Sequence, residues 1–242
     1  MSTKGHRIVV GGIPVDVVRK SIKNLHLGVY PPNGRVRVAV PLRLNDDAVR
    51  LAVVTRLGWI RRQQSGFEKQ ERQSKREMVA GETHYVHGKR YQLSVIEGDG
   101  RTGTRVRPNA RLEMRVPPKS SHAYRENVLN EWYRQLLREP IQELVAKWAP
   151  HVGVEVAEWG IRRMRTKWGS CNPRARRIWF NLELAKKSGS GIEFIVVHEM
   201  VHLLERHHNA NFVGHMDRLL PNWRLSRAEL NRAPLGHENW RY

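Results

Sequence analysis

The first forty residues alternate apolar and polar side chains in the manner of short β-strands. The segment Arg35-Val36-Arg37-Val38-Ala39-Val40 repeats with a period of two, which is typical of a half-buried strand. From Leu44 to Gln64 the apolar residues recur at helical spacing instead, and Asn45 or Asp46 can cap a helix there. The opening part of the chain is therefore predicted to be β-rich, with one helix.

A second β-rich stretch follows this helix. Turn residues at Gly81 and Gly88 predict a hairpin over residues 82–96. Residues 98–118 are polar and rich in Gly, Thr and Pro, which favours a linker or a long hairpin. We therefore place a boundary here, between a β-rich lobe at 1–118 and a second lobe at 119–242. No internal repeat is visible in the sequence.

The second half of the chain is mainly helical. A helix is predicted from Ser121 to Trp148, although Pro140 should break it. Two strands are expected at residues 152–159 and 177–182, and helices at 192–205, 211–220 and 223–231. The predicted fold class is α+β, with the strands first and a mainly helical lobe with a short sheet last.

Composition excludes several classes of protein. The chain has 242 residues, and no apolar run approaches the roughly 18 residues of a membrane-spanning helix. Its first ten residues lack the features of a secretory signal. Cys171 is the single cysteine, so an intramolecular disulfide framework and a cysteine-rich zinc finger are excluded. A cytoplasmic location without membrane attachment is expected.

A formal net charge of +20 favours polyanionic partners such as nucleic acid or nucleotides. The basic residues are dense in two stretches, at residues 61–76 and 162–177. A solvated basic surface explains the same charge equally well, because no nucleic-acid motif of fixed spacing accompanies it. Binding of nucleic acid or nucleotide therefore stays an open expectation.

The strongest chemical signal is His198-Glu199-Met200-Val201-His202. Histidines four residues apart on a helix lie one turn above each other, so both imidazoles can reach one tetrahedral zinc ion. Glu199 adjoins the first ligand and can serve as general base toward a water activated by the metal. Apolar residues surround the motif on almost every face, which predicts a buried helix. Burying these polar groups without partners is costly, and metal binding removes that cost.

A catalytic zinc site needs a third protein ligand. The candidates are His207, His208 and His215. Residue 208 lies about 240° around the axis from His202 if the helix continues, so the chain must bend after Leu204. Spacing alone leaves the third ligand open.

The run HEMVHLLERHHNANF resembles the YgjP-like metallopeptidase family, which is related to the SprT-like and WLM peptidases. The segment RTKWGSC at 165–171 and the strand IWFNL at 178–182 also resemble this family, and we judge the resemblance to cover about residues 22–232. It implies a zincin-like minigluzincin lobe with one zinc ion per chain. It also implies His198, His202 and His208 as zinc ligands and Glu199 as the catalytic acid/base. A metzincin requires Gly where this chain has Glu205, which argues against that clan.

Several other residues are candidates near the metal. Arg165 and Lys167 can bind an anionic substrate group or stabilise an oxyanion, although a basic turn in water is an equal alternative. Asn181, at the end of the predicted strand, is a third candidate for substrate binding. Cys171 is interpreted as a small residue packed in a turn rather than a thiol nucleophile or ligand. The strand at 177–182 is expected to pair with an extended substrate.

Three functions fit these features. The leading hypothesis is a zinc-dependent endopeptidase acting on polypeptides with Glu199 as general base. A metal-dependent phosphohydrolase of the nucleotide pyrophosphatase type is the second, although the motif lacks the carboxylate ligands that suit magnesium phosphate sites. The third is a protease that the basic surface recruits to DNA.

Overall fold

The computed structural model describes residues 5–30, 34–69, 76–164 and 167–232. Its contacts divide the chain into two compact units, one within Met1–Glu71 and one within Arg72–His237. Both units combine strands with helices, so the predicted α+β class is confirmed. The boundary that we predict after residue 118 lies inside the second unit.

The first unit is built on a four-stranded sheet. Its strands are β1 (Gly5–Val10), β2 (Ile13–Lys20), β3 (His26–Tyr30) and β4 (Arg35–Pro41), in the order β1-β2-β4-β3. The strands β2 and β4 are parallel and the other pairs are antiparallel. Because side chains alternate between the two faces of a strand, every second residue of these strands faces the core, as the sequence predicts. The fully buried valines include Val15, Val17, Val36, Val38 and Val40.

Two helices, rather than the single predicted one, follow this sheet. The first, α1 (Asp46–Val54), begins at Asn45, whose side chain accepts a hydrogen bond from the Ala48 N–H. The second, α2 (Leu57–Lys69), starts after a short interruption at Thr55. There the Thr55 hydroxyl donates to the carbonyl of Ala52, a local bond that competes with the helix backbone.

The second unit begins with another four-stranded sheet. Its strands are β5 (Thr83–Val86), β6 (Lys89–Glu97), β7 (Gly103–Arg107) and β8 (Arg111–Val116), in the order β5-β6-β8-β7. The segment predicted as a linker or long hairpin is thus the hairpin β7–β8. A 31-residue helix, α3 (His122–Val152), runs on from it.

Pro140 does not interrupt α3, contrary to the prediction. A proline inside a helix removes one backbone hydrogen bond and strains the preceding turn. Leu137 and Ile141 on either side of it are completely buried, and this packing offsets the loss. None of the described helices combines the length and the apolarity needed to span a bilayer.

The remainder of the second unit carries the candidate site. A three-stranded sheet has the order β10-β11-β9, with β9 (Glu158–Arg162), β10 (Gly169–Asn172) and β11 (Arg177–Asn181). A short 3₁₀ helix (Leu182–Lys186) leads to α4 (Gly189–Val201), α5 (Ala210–Leu219) and α6 (Trp223–Arg232). The strands β9 and β11 are parallel, while β10 pairs antiparallel with β11.

Candidate metal centre

The helix α4 carries the HEMVH motif in the interior of the second unit. Ser188 caps it by accepting a hydrogen bond from the Gly191 N–H. Apolar residues occupy every face, and most of the helix is buried, including Val196, Val197, Met200 and Val201. Packing on all sides therefore fixes the direction in which His198 and Glu199 project.

The chain leaves the helix earlier than predicted, at Val201 instead of Glu205. The N–H of Leu203 donates to the Met200 carbonyl, and the N–H of Glu205 donates to the Val201 carbonyl, at 2.9 Å each. These bonds form a tight turn without Gly or Pro. Asn209 then caps α5 by accepting from the Phe212 N–H at 3.0 Å, so the returning segment has a defined end.

This turn brings three imidazoles together. The Nε2 atom of His208 lies 3.1 Å from the Nε2 atoms of both His198 and His202, and one ligand atom from each ring lies within 4.8 Å of the others. Bonds of about 2.0–2.1 Å from a tetrahedral zinc ion place imidazole nitrogens roughly 3.3 Å apart. The three rings, hereafter the His triad, therefore fit one tetrahedral metal ion.

The surroundings favour the neutral, metal-binding form of these rings. Burial, reinforced by His202 and His208, lowers the pKa of His198 to about 3. The Nδ1 atom of His202 lies 3.0 Å from the Glu205 carbonyl, so its Nδ1–H donates there and leaves Nε2 free as a ligand. Buried Phe212 lies under the triad, with ring centroids 4.7–4.9 Å away, and anchors the returning segment.

Glu199 is buried next to the triad, with 5% of its surface exposed. Burial raises its pKa to about 8, and the charge of Lys167 opposes that rise. Gly169, the first residue of β10, lies directly against it. A Cβ atom on Gly169 would stand 2.6 Å from Oε1 of Glu199, so only glycine leaves room for the carboxylate.

The other histidines and the cysteine are not members of the His triad. His207 is exposed, and only its backbone N–H contacts Glu205. His215 contacts Arg218 through Nδ1. Cys171 lies in β10 opposite Ile178, not in a turn. Burial, and secondarily the charge of Glu199, raises the pKa of its thiol to about 12, so the thiol is a poor nucleophile.

The predicted substrate residues have different surroundings. Lys167 is exposed and close enough to shift the pKa of Glu199 and His202. Asn181 is buried, and its amide donates to the carbonyls of Met164 and Lys167 at 2.9 and 2.8 Å. Its oxygen accepts from the N–H of Met164. Its polar atoms thus hold the loop before β10, while Arg165 lies outside the described residues.

The expected pairing of substrate with residues 177–182 conflicts with the sheet. β11 is the central strand and pairs with both β10 and β9, so neither of its edges is open. The strand that adjoins Glu199 and lies at an edge of the described sheet is β10. The sequence analysis predicted strands at 152–159 and 177–182 and none at 169–172, whereas the first of these strands lies at Glu158–Arg162 and β10 is an additional strand. The order of the strands depends on long-range pairing.

Two further residues near the triad were not predicted from the sequence. Arg227 on α6 lies close enough to lower the pKa of His198 and His208 through its charge. It follows Trp223 by one helical turn, and Trp223 stacks on Phe194, which meets the edge of His198. Glu205 organises the turn by accepting from the His207 N–H and from the side chains of Asn209 and Asn211. No local motif marks either residue.

The chain matches one known protein family over most of its length. Residues 23–233 match the family model of the YgjP-like metallopeptidase domain. A search of curated proteins found no match. The crystal structure of the metallopeptidase zymogen of Pyrococcus abyssi abylysin is similar over 39% of this chain and 99% of that chain, with 14% sequence identity and a TM-score of 0.35. The family match includes the whole His triad and Glu199.

Proposed function

The chain belongs to the YgjP-like metallopeptidase family, and from that premise we propose that it is a zinc-dependent endopeptidase with Glu199 as general base. The observation that carries the proposal is the meeting of three imidazole nitrogens, one of them on the residue that directly precedes buried Glu199. One zinc ion per chain is proposed, held by His198, His202 and His208. Three neutral imidazoles with a fourth position open are a donor set typical of catalytic zinc.

When bound, the ion supplies Lewis-acid chemistry, lowering the pKa of a water molecule and polarising a carbonyl oxygen. Glu199 accepts the proton of the attacking water and then delivers it to the leaving amine. Its burial excludes bulk water from the carboxylate, which strengthens its interaction with the attacking water. The close contact with Gly169 fixes the carboxylate in place.

We further propose that the substrate lies as an extended chain along β10. An edge strand offers unpaired backbone groups to a polypeptide, which adds to the sheet by main-chain hydrogen bonds. β10 is supported on its inner side by β11 and reaches Glu199 at Gly169. Lys167, two residues before this strand, then lies beside the substrate. Asn181 positions Lys167 through the bond to its carbonyl.

Family membership favours peptide bonds over phosphoanhydrides. The His triad also lacks the carboxylates that suit magnesium phosphate sites. Recruitment to DNA and binding of nucleotides stay predictions from charge alone.

Hydrolysis of unfolded casein tests the function. The protein should cleave casein, lose this activity on treatment with a chelator, and regain it with added zinc. Mass spectrometry of the products should find cuts in the interior of the chain. Products that differ from casein by terminal residues only would contradict the endopeptidase assignment, and chelator-resistant cleavage would contradict the metal.

A further inference from the structure

The two four-stranded sheets share one topology. In each, the first and second strands form a hairpin, the second and fourth are parallel, and the third and fourth are antiparallel. Each sheet is followed directly by a helix with a polar N-cap, Asn45 in the first unit and Ser121 in the second. The same succession of elements thus occurs twice in the chain.

The spacing along the sequence is also the same. The fourth strands begin at Arg35 and Arg111 and the helix caps are Asn45 and Ser121, a separation of 76 residues in both cases (111 − 35 and 121 − 45). The third strands are 77 residues apart. The register between the two parallel strands differs by two residues from one sheet to the other. Aligned in this way, RVRVAVP at 35–41 matches RLEMRVP at 111–117. This corrects the expectation that the chain has no internal repeat.

The turns that join the first and second strands of the two sheets also have the same backbone conformation. Gly11 and Gly12 have φ angles of 58° and 80°, and their counterparts His87 and Gly88 have φ angles of 47° and 80°. Two consecutive residues with positive φ form the type I′ turn of a tight hairpin. The hydrogen bond that closes such a turn joins the flanking residues, so the two central N–H groups point outward.

In the second unit these outward N–H groups bind a polypeptide backbone. The N–H of His87 donates to the Ala185 carbonyl at 2.9 Å, and that of Gly88 donates to the Lys186 carbonyl at 3.1 Å. The fit is close, because a Cβ atom on Gly88 would lie 3.5 Å from the Ser188 nitrogen. The turn therefore binds two successive carbonyl groups of the segment that leads into α4.

In the first unit the corresponding turn is open at Gly12, whereas Leu57 packs against Gly11, where a Cβ atom would stand 2.9 Å from its Cδ1. A Cβ atom on Gly12 would meet nothing within 4 Å, and the N–H groups of Gly11 and Gly12 have no hydrogen-bond partner among the described residues. Beside the turn, Val9 is 60% exposed, and Arg50 of α1 donates to its carbonyl at 3.0 Å. Exposed Val9 thus forms an apolar border beside two available donors.

We propose that the first unit is a second copy of the module β5–α3, and that its Gly11–Gly12 turn binds a polypeptide backbone as the His87–Gly88 turn does. The occupant is an extended stretch of an unfolded polypeptide. Two successive carbonyls accept from the turn, and an apolar side chain rests on Val9. The identification of this polypeptide as substrate rests on the proposed peptidase function, and the binding itself does not.

Binding is measured apart from cleavage in the Glu199→Gln protein. The probe is fluorescein-labelled casein, followed by fluorescence anisotropy. Gly12→Asp places a carboxylate against the approaching carbonyls, and Val9→Asp makes the apolar border polar. Each should weaken binding by about fivefold or more, the equivalent of one lost hydrogen bond. Leu42→Asp is the matched control, since Leu42 is 67% exposed in the same unit.

Weaker binding in either variant, with Leu42→Asp unchanged, supports the proposal. It is overturned if both variants bind casein as tightly as the parent, if Leu42→Asp loses as much, or if the parent does not bind casein. Val9→Asp changes an exposed side chain only, so it stays informative if Gly12→Asp proves unstable. Because binding is read in a protein without the general base, absence of peptidase activity leaves this result unaffected.

Discussion

Gly169 and Glu199 lie so close together that no side chain fits at position 169 while the carboxylate keeps its place. A methyl group there would stand 2.6 Å from both Cγ and Oε1 of Glu199. Strand β10 thus limits where this carboxylate can lie, and the conformation of Glu199 depends on the absence of one side chain.

Gly169→Ala should therefore displace Glu199 without removing a metal ligand. We expect kcat to fall by about 10²-fold, the scale of a 1 Å misplacement at a reacting group, while zinc content stays near one per chain. Steady-state kinetics with metal analysis check this. Gly189→Ala is the control, because a Cβ atom there meets nothing within 4 Å. If Gly169→Ala has the kcat of the wild-type protein, the contact between Gly169 and Glu199 does not affect catalysis.

Glu199→Gln should separate metal binding from chemistry. Glutamine keeps the size of the side chain but cannot accept a proton at neutral pH, so hydrolysis should fall at least ~10²-fold. Zinc content and melting temperature should stay close to wild type. Glu193→Gln, on the same helix and paired with Lys147, should keep its activity. Full activity of Glu199→Gln would mean that another group is the base.

The third ligand can be tested by a pair of adjacent substitutions. His208→Ala should weaken zinc binding severely and abolish turnover, whereas His207→Ala should leave both nearly intact, because only His208 reaches the other two rings. Competition with a chromophoric chelator measures the affinity. Loss of zinc from His207→Ala alone would overturn the assignment.

Asn181→Leu should disturb the loop before β10. It removes the donors to the carbonyls of Met164 and Lys167, and each lost hydrogen bond costs about 1 kcal/mol. We expect a lower melting temperature and a higher KM, measured by calorimetry and peptide hydrolysis. Asn181→Asp keeps the acceptor but not the donor and should be similarly impaired. An unchanged KM in both variants would remove Asn181 from the positioning of substrate.

His84 makes stability depend on pH. Burial, with a further contribution from Arg76, lowers its pKa from 6.5 to about 4, against the opposing effect of Glu82. The unfolded chain thus takes up the proton first, so the free energy of unfolding should decrease as the pH falls from about 6.5 to about 4. Urea unfolding across this range measures the effect. In His84→Gln the free energy of unfolding should decrease less over this pH range. An equally steep decrease in that variant would show that other titratable groups cause it.

The sequence predicted the features that depend on local periodicity. The spacing of His198 and His202 predicted their common face, and the apolar residues around them predicted burial, because both follow from one helix. The position of His208 depends on a turn without Gly or Pro, and it was available only through the family resemblance. Asn181 illustrates a further limit, since its partners Met164 and Lys167 are distant in sequence. The pairing of β10 at an edge is likewise a long-range property.

Local rules also failed where packing outweighed them. Pro140 should end a helix, but the buried residues beside it keep α3 continuous. The internal repeat was hidden because strands require alternation rather than identity. Val36 and Leu112 fill corresponding core positions as different apolar residues. Only the shared strand order and turn conformations made it visible.

Strand β10 contains four residues, Gly169–Asn172, and so extends for about 13 Å. A globular protein in its native state seldom leaves a backbone stretch of this length extended and without partners, because its own sheets and helices satisfy those groups. A peptidase that binds its substrate on this edge would select substrates first by the conformation of their backbone and only then by their side chains. Damaged, nascent or locally melted chains would be cut, and intact neighbours in the same solution would be spared.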